Sequence, residues 1–349
     1  MNRTNAFAIT ALVALSATLF ASCAQKKDTA GKDQAKSIAV FVPGVVSGSP
    51  VYEMLAAGVT RAVTESANGG MKASVTVIEA GASQAEWETK LTAVATEVKY
   101  GLIVTSNPAM PDIIAPVSAK FPDQDFLVLD AYAEGNPRVT SVRYDQRQQA
   151  YMSGYLAALV SVSSMKHANP DKKIGLVAGQ EYPAMNEIIL PAYLAGARAV
   201  DPGFTADFRV VGNWYDAAKG SDLARAMRKA GVDVIMPIAG GANQGVLAAA
   251  RETGIYVAWF DDNGYAKAPG FVVSSSVMAQ ERLAYEKTKA WLSGSLEKGK
   301  PATVGLAEGY IDFVADDPLY LSTVPEDIRA KQAAMIAKLR SGEITIGDR

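Results

Sequence analysis

The chain has 349 residues, of which 49% are apolar and 20% charged, and its formal net charge is −2. That balance excludes a disordered chain, a collagen-like chain and a polytopic membrane protein, and it offers no basic excess for nucleic acid or an anionic membrane surface. The single cysteine excludes an intrachain disulfide and Cys-rich metal sites, and the single histidine leaves His167 alone for His-based catalysis. The expectation is a binding protein rather than an enzyme, with no metal and no resident cofactor.

Residues 1–22 read as a secretory leader: Arg3 near the start, the apolar stretch 6–20 (AFAITALVALSATLF), then small residues before a break. The stretch is shorter than the ~20 apolar residues of a spanning helix. Its end, Leu19-Phe20-Ala21-Ser22-Cys23, resembles a bacterial lipoprotein box, with Phe20 where Leu is usual. Small side chains at Ala21 and Ser22 give a peptidase access, and the Cys23 thiol would take the diacylglycerol. Each buried acyl CH₂, palmitate included, contributes about 0.8 kcal/mol to anchoring. The alternative is an ordinary cleaved leader with an incidental cysteine. Residues 23–36 are small and polar, as a flexible tether requires. The expected location is a periplasm-facing lipid anchor on the bacterial inner membrane.

From residue 37 strand-like and helix-like segments alternate. Strands are expected at 37–41, 74–78, 101–105, 126–129 and 139–144, with helices at 50–67, 84–98, 112–120 and 147–162. A second series has strands at 174–178, 208–211, 234–238, 256–260 and 271–275, with helices at 185–200, 222–229, 244–253 and 280–293. Apolar strands alternating with amphipathic helices imply parallel sheets covered on both faces, and two series imply an α/β protein of two doubly wound lobes. The first lobe is expected over 37–145, a connecting helix and linker over 146–172, and the second lobe over 173–300. Residues 301–349 are expected to cross back or cap. No helix-turn-helix precedes the first strand, which counts against a DNA-binding regulator. His167, in a polar stretch between the series, reads as a solvated linker residue.

Ligands of open parallel sheets bind beyond the carboxyl ends of the strands, so the residues after each strand are the candidates. Asn213-Trp214-Tyr215-Asp216 places an aromatic pair there; Trp214 is expected to stack on a flat ring, the alternative being packing between lobes, while Asp216 caps the next helix. Asp261, directly after an apolar run, can accept two hydroxyl hydrogen bonds from a polyol, whereas Asp262 and Asn263 read equally as turn formers. Asp130 and Asn107 end two first-lobe strands. Gly240 and Gly241 form a Gly-rich turn whose N–H groups could approach a ligand oxygen, tight helix packing being the equal alternative. Ser49 suits the N-cap before Pro50, while Ser47 and Tyr52 are placed to reach the cleft.

The segments 121–131, 149–159, GARAVDP (196–202), NWYDAAKG (213–220), AGGANQGV (239–246) and 257–261 together resemble the basic membrane protein family of ABC-transporter substrate-binding lipoproteins, the purine nucleoside receptor-like group. The resemblance covers about 38–345. It implies a bilobed fold of the periplasmic-binding-protein type I with an interlobe cleft, no catalysis, and delivery of a small ligand to an ABC permease and its ATPase. It puts the stacking aromatic on Trp214, the ribose-binding acid on Asp261, the first-lobe acid on Asp130 and the Gly-rich turn on Gly240 and Gly241. Two departures bear on the ligand. GVVSGSPVY (44–52) replaces the family's Asp-Lys-Ser-Phe-Asn type loop, and no Lys follows the late strand, where Val277 to Gln280 stand. A wider aromatic slot beside a polyol-binding carboxylate suits the ring and ribityl chain of riboflavin, and the loop pattern is similar to that of spirochaetal riboflavin-binding members. Riboflavin is therefore the expected ligand and a purine nucleoside the alternative.

Overall fold

A computed structural model describes residues 36–347. The leader, Cys23 and most of the expected tether lie outside the described residues.

The first sheet is built from β1 (Lys36–Val42), β2 (Ala73–Glu79), β3 (Leu102–Ser106), β4 (Asp125–Leu129) and β5 (Val139–Tyr144), joined by α1 (Pro50–Asn68), α2 (Gln84–Thr96) and α3 (Met110–Lys120). The chain then crosses over through α4 (Gln146–Ser161). The second sheet follows with β6 (Lys173–Ala178), β7 (Thr205–Val210), β8 (Val234–Ile238), β9 (Tyr256–Asp261) and β10 (Val272–Met278). A π-helical turn, Met185–Ile189, leads into α5 (Leu190–Val200); α6 (Ala217–Lys229) and α7 (Asn243–Thr253) complete the series. The tail supplies α8 (Gln280–Ser293), β11 (Pro301–Val304), β12 (Ile311–Phe313), α9 (Pro318–Thr323) and α10 (Glu326–Ser341).

The sheets share one plan. Their orders are β11-β5-β4-β3-β1-β2 and β12-β10-β9-β8-β6-β7, so β4 and β9 occupy equivalent places. All pairings are parallel except that of β12, which runs antiparallel to β10. Every residue of β3, β4 and β8 is buried, as their unbroken apolar runs require of strands covered on both faces. The edge strand β2 is partly exposed throughout.

Three expectations need correction. Residues 280–293, expected with the second lobe, form α8 and pack on α1 of the first. The contact is so close that a Cβ on Gly58 would lie 2.3 Å from the Glu281 carbonyl oxygen, and Arg61–Glu281 and Tyr285–Glu65 pairs flank it. The connecting helix α4 is part of the second lobe's core, packed on α5, β9 and β10. His167 is not a solvated linker residue: it stacks on Phe271 (ring centroids 6.0 Å) and edges Tyr256 (5.5 Å), and burial lowers its pKa.

The chain passes between the lobes near residues 145, 279 and 305–310, and these passages are stitched together. Asp145 N–H donates to the Val304 carbonyl and Ala279 N–H to the Tyr310 carbonyl, both at 2.8 Å. Leu306 N–H donates to Gln148 Oε1 at 2.8 Å, and Tyr144 Oη to Gln280 Oε1 at 2.7 Å.

Candidate ligand-binding site

The carboxyl ends of both sheets lie toward these passages, and the third strand in each sheet order, β4 and β9, leads into an aspartate. Asp130 follows β4 and Asp261 ends β9, the equivalent strand of the other lobe. Both have left-handed backbone conformations, φ +55° and +81°. Among the described residues only four non-glycines do so. Aspartate tolerates this region better than most side chains, and such conformations cluster at functional sites.

The first turn of α4 holds the two acids. Gln146 Nε2 donates to Asp130 Oδ1 (3.1 Å), and Gln149 Nε2 donates to Asp261 Oδ1 (3.4 Å) and to the Ser276 carbonyl (3.2 Å). Residues three apart on a helix are neighbours, their Cβ atoms about 5–6 Å apart, so the two carboxylates are brought to adjacent amides. Each feels its burial. Asp130 is pushed well above the usual carboxylate range by desolvation and then by the charge of Asp261. Asp261 is pushed up to about 7 by desolvation and the neighbouring Asp262 charge, with the Gln149 hydrogen bond opposing. Asp262 itself is occupied by the Trp259 indole N–H and by Lys267 at 3.1 Å.

Tyr52 belongs to the same cluster. Its hydroxyl donates to the Pro43 carbonyl and accepts from Asn107 Nδ2, each at 3.1 Å, tying the β1 and β3 loops together. Burial, with Asp130 adding and Asn107 opposing, pushes this phenol up to about 12. Asn107 Oδ1 also accepts from Ala109 N–H at 2.9 Å.

Trp214 lies against Gly179, where a Cβ would come within 2.5 Å of the indole, and its Nε1 donates to Gln180 Oε1 at 3.1 Å. Tyr182 stands 6.2 Å from it at 44°. Burial first, then the charges of Asp130 and Asp261, raise the Tyr182 phenol. Tyr182 thus stands beside the indole and feels the charge of both acids. Asn213 Oδ1 shapes the loop by accepting from Tyr215 N–H and Asp216 N–H, and Asp216 caps α6 as expected, accepting from Lys219 N–H.

The remaining candidates lie elsewhere. Tyr215 is 64% exposed, and Ser47 is exposed on its turn. Gly240 (φ +57°) and Gly241 pack under the Trp214 backbone, with a Gly240 Cβ 2.8 Å from the Trp214 carbonyl oxygen, which favours close packing over anion binding. Ser49 holds the N-cap position of α1 without a side-chain cap bond; Glu53 Oε1 accepts from Gly48 N–H instead. Tyr182 falls in the segment 179–182 that the strand-end rule picks out, although that rule gives it no role, whereas sequence reasoning misses Gln146 and Gln149 because they look like any polar helix face.

The family model for the PnrA-like ABC transporter substrate-binding proteins matches residues 35–345. An ABC transporter nucleoside-binding protein, BmpA, of Lactococcus lactis is 28% identical over 152 residues, 44% of this chain and 41% of that one. Basic membrane protein D of Borreliella burgdorferi is 30% identical over 182 residues, 51% of each. The chain thus spans about half the length of these relatives. A solute-binding protein of an ABC transporter system from Aeropyrum pernix has the same fold, with a TM-score of 0.76 at 21% identity over 90% of this chain and 94% of that one. By its match to the family model across nearly the whole described length, the chain belongs to the PnrA-like family of ABC transporter substrate-binding proteins.

Proposed function

We propose that the chain captures riboflavin between its two lobes and hands it, unaltered, to an ABC permease and its ATPase. The observation that carries this reading is the ring pair Trp214–Tyr182 on loops at the same strand ends as Asp130 and Asp261. Two rings suit one flat heteroaromatic guest, and two carboxylates suit a chain of hydroxyls. Tyr52 and Asn107, joined at 3.1 Å on the β1 and β3 loops, are the first-lobe polar groups offered to the guest. A second reading, a purine nucleoside as guest, is favoured by the Lactococcus relative's description as nucleoside-binding. Cys23 would carry the lipid that keeps the receptor at the membrane, and among the described residues no helix is long and apolar enough to cross one.

The purified mature protein tests this directly. A retained flavin makes it yellow, and denaturation releases the flavin chemically intact. Otherwise titrations with riboflavin, guanosine and inosine decide between the two guests. Binding of none of the three, or release of a cleaved product, refutes the proposal.

A further inference from the structure

We infer that Gly179 and Gln180 are positioning residues for the guest: together they fix the Trp214 indole so that it offers one free face, and no hydrogen-bond donor, to the guest's ring. The inference rests on the capture reading above and adds what holds the indole and what the indole can read.

The seat is made of backbone. A Cβ on Gly179 would lie 2.5 Å from indole Cε3, with Cδ2 and Cζ3 at 2.8 and 2.9 Å. Nearly equal distances to three successive ring atoms put that point over the face of the ring; an approach along the ring edge would leave the outer two much farther away. Non-bonded carbons pack at about 3.5–4.0 Å, so only a residue without a side chain lets the indole lie there. Gly179 is not among the glycines with left-handed backbone, so the position needs the missing side chain and not the conformational freedom. Nor can the seat give way. Gly179 N–H donates to the Ile238 carbonyl at 2.8 Å, and its carbonyl accepts from Gly212 N–H at 2.9 Å, which pins it between the end of β8 and the chain that follows β7.

Gln180 occupies the polar edge of the same ring, its Oε1 accepting from Trp214 Nε1 at 3.1 Å. An indole has one donor and no acceptor, so none of its hydrogen-bonding capacity is left for a guest. The Trp214 backbone is held as well. Asn213 Oδ1 draws in the two N–H groups that follow Trp214, and Gly240 leaves room for the Trp214 carbonyl oxygen. Trp214 is half-buried, and the face turned away from Gly179 is the one available for stacking. The indole therefore reads the planarity of an aromatic ring and is blind to the ring's polar substituents, whose recognition falls to other side chains.

Calorimetric titration of the mature protein with riboflavin and with guanosine tests this as a mutant cycle. Gln180→Leu weakens both guests by about fivefold, and Gln180→Glu, which keeps the acceptor, recovers most of that loss. In the Trp214→Phe background, which has a stacking ring but no indole N–H, Gln180→Leu costs less than about twofold. Gly179→Ala pushes the ring into the guest's place and weakens both guests by at least about tenfold. An equal loss from Gln180→Leu in the two backgrounds overturns the inference and leaves capture standing. So does binding within about twofold of the unsubstituted chain by Gln180→Leu or by a folded Gly179→Ala; if Gly179→Ala does not fold, the Gln180 cycle decides alone. Failure of the unsubstituted chain to bind either guest or inosine overturns the capture reading, and this inference with it.

Discussion

Strand β4 carries a carboxylate at each end, and the two are treated oppositely. Asp125 opens the strand, buried, and accepts from Arg138 (3.1 Å), the Trp291 indole N–H (3.2 Å) and Lys298. Asp130 follows its last residue and accepts one side-chain hydrogen bond, from Gln146. The second lobe repeats the contrast. Asp233, just before β8, accepts from Ser161 Oγ (2.9 Å) and Asn169 N–H (2.8 Å), while Asp261 at the far end of β9 has one long amide contact. An ionised carboxylate can accept about four hydrogen bonds. At the amino ends of the strands the fold supplies three partners to Asp125 and two to Asp233, both on Oδ2, with Asp233 Oδ1 buried and unpartnered. At the carboxyl ends the fold leaves acceptors over, and a guest can use them.

Removing each acid in turn is the sharpest way to break this contrast. Asp125→Ala strands two cations and an indole N–H, and should cost about 3 kcal/mol of unfolding free energy while leaving guest affinity within about twofold. Denaturant unfolding beside a guest titration reads both numbers. Asp261→Ala should do the reverse, weakening guest binding by about 1.5–3 kcal/mol with stability unchanged or improved. If it unfolds the protein as readily as Asp125→Ala, the distinction between the two ends is wrong.

Asp233 allows a pH test within the structural class. Burial pushes its carboxyl up to about 6, its two hydrogen bonds opposing, so the folded state holds the proton more tightly than the unfolded chain does. Stability is therefore greatest below about pH 4 with respect to this group, and declines as pH rises from about 4 to about 6. Asn keeps one acceptor for Ser161 and Asn169 and carries no charge. Asp233→Asn should stabilise the protein by up to about 3 kcal/mol at pH 8 and by about 0.5 kcal/mol at pH 4. A gain that is the same at both pH values rules out titration as its cause. The smallest expected effect is that of Tyr182→Phe, which keeps the ring beside Trp214 and removes the hydroxyl near the acids. It should weaken a hydroxylated guest by about 1 kcal/mol and leave thermal unfolding unchanged.

The strands are legible in the sequence because each central one is an unbroken apolar run between turn signals; the expected bounds of 139–144 and 234–238 are the observed ones. Asp130 and Asp261 are legible because ligand chemistry in parallel sheets gathers where such runs stop. Long-range placement is not. Residues 280–293 have the same helical pattern whichever lobe they cover, and only the passage at 279 sends them back to α1. The three residues of β12 carry no mark of their antiparallel direction. Gln149 meets Asp261 across 112 positions of sequence, so its partnership exists only in the fold. His167 reads as polar because its neighbours are polar, yet the rings that enclose it come from β9 and the turn before β10.

A crystal structure of the mature protein with riboflavin in the cleft tests the central claim most directly. The isoalloxazine ring should lie against Trp214 and Tyr182, with polar atoms of the guest on Asp130 and Asp261. A guest bound elsewhere, or one in the cleft that touches neither the indole nor either carboxylate, would contradict the account.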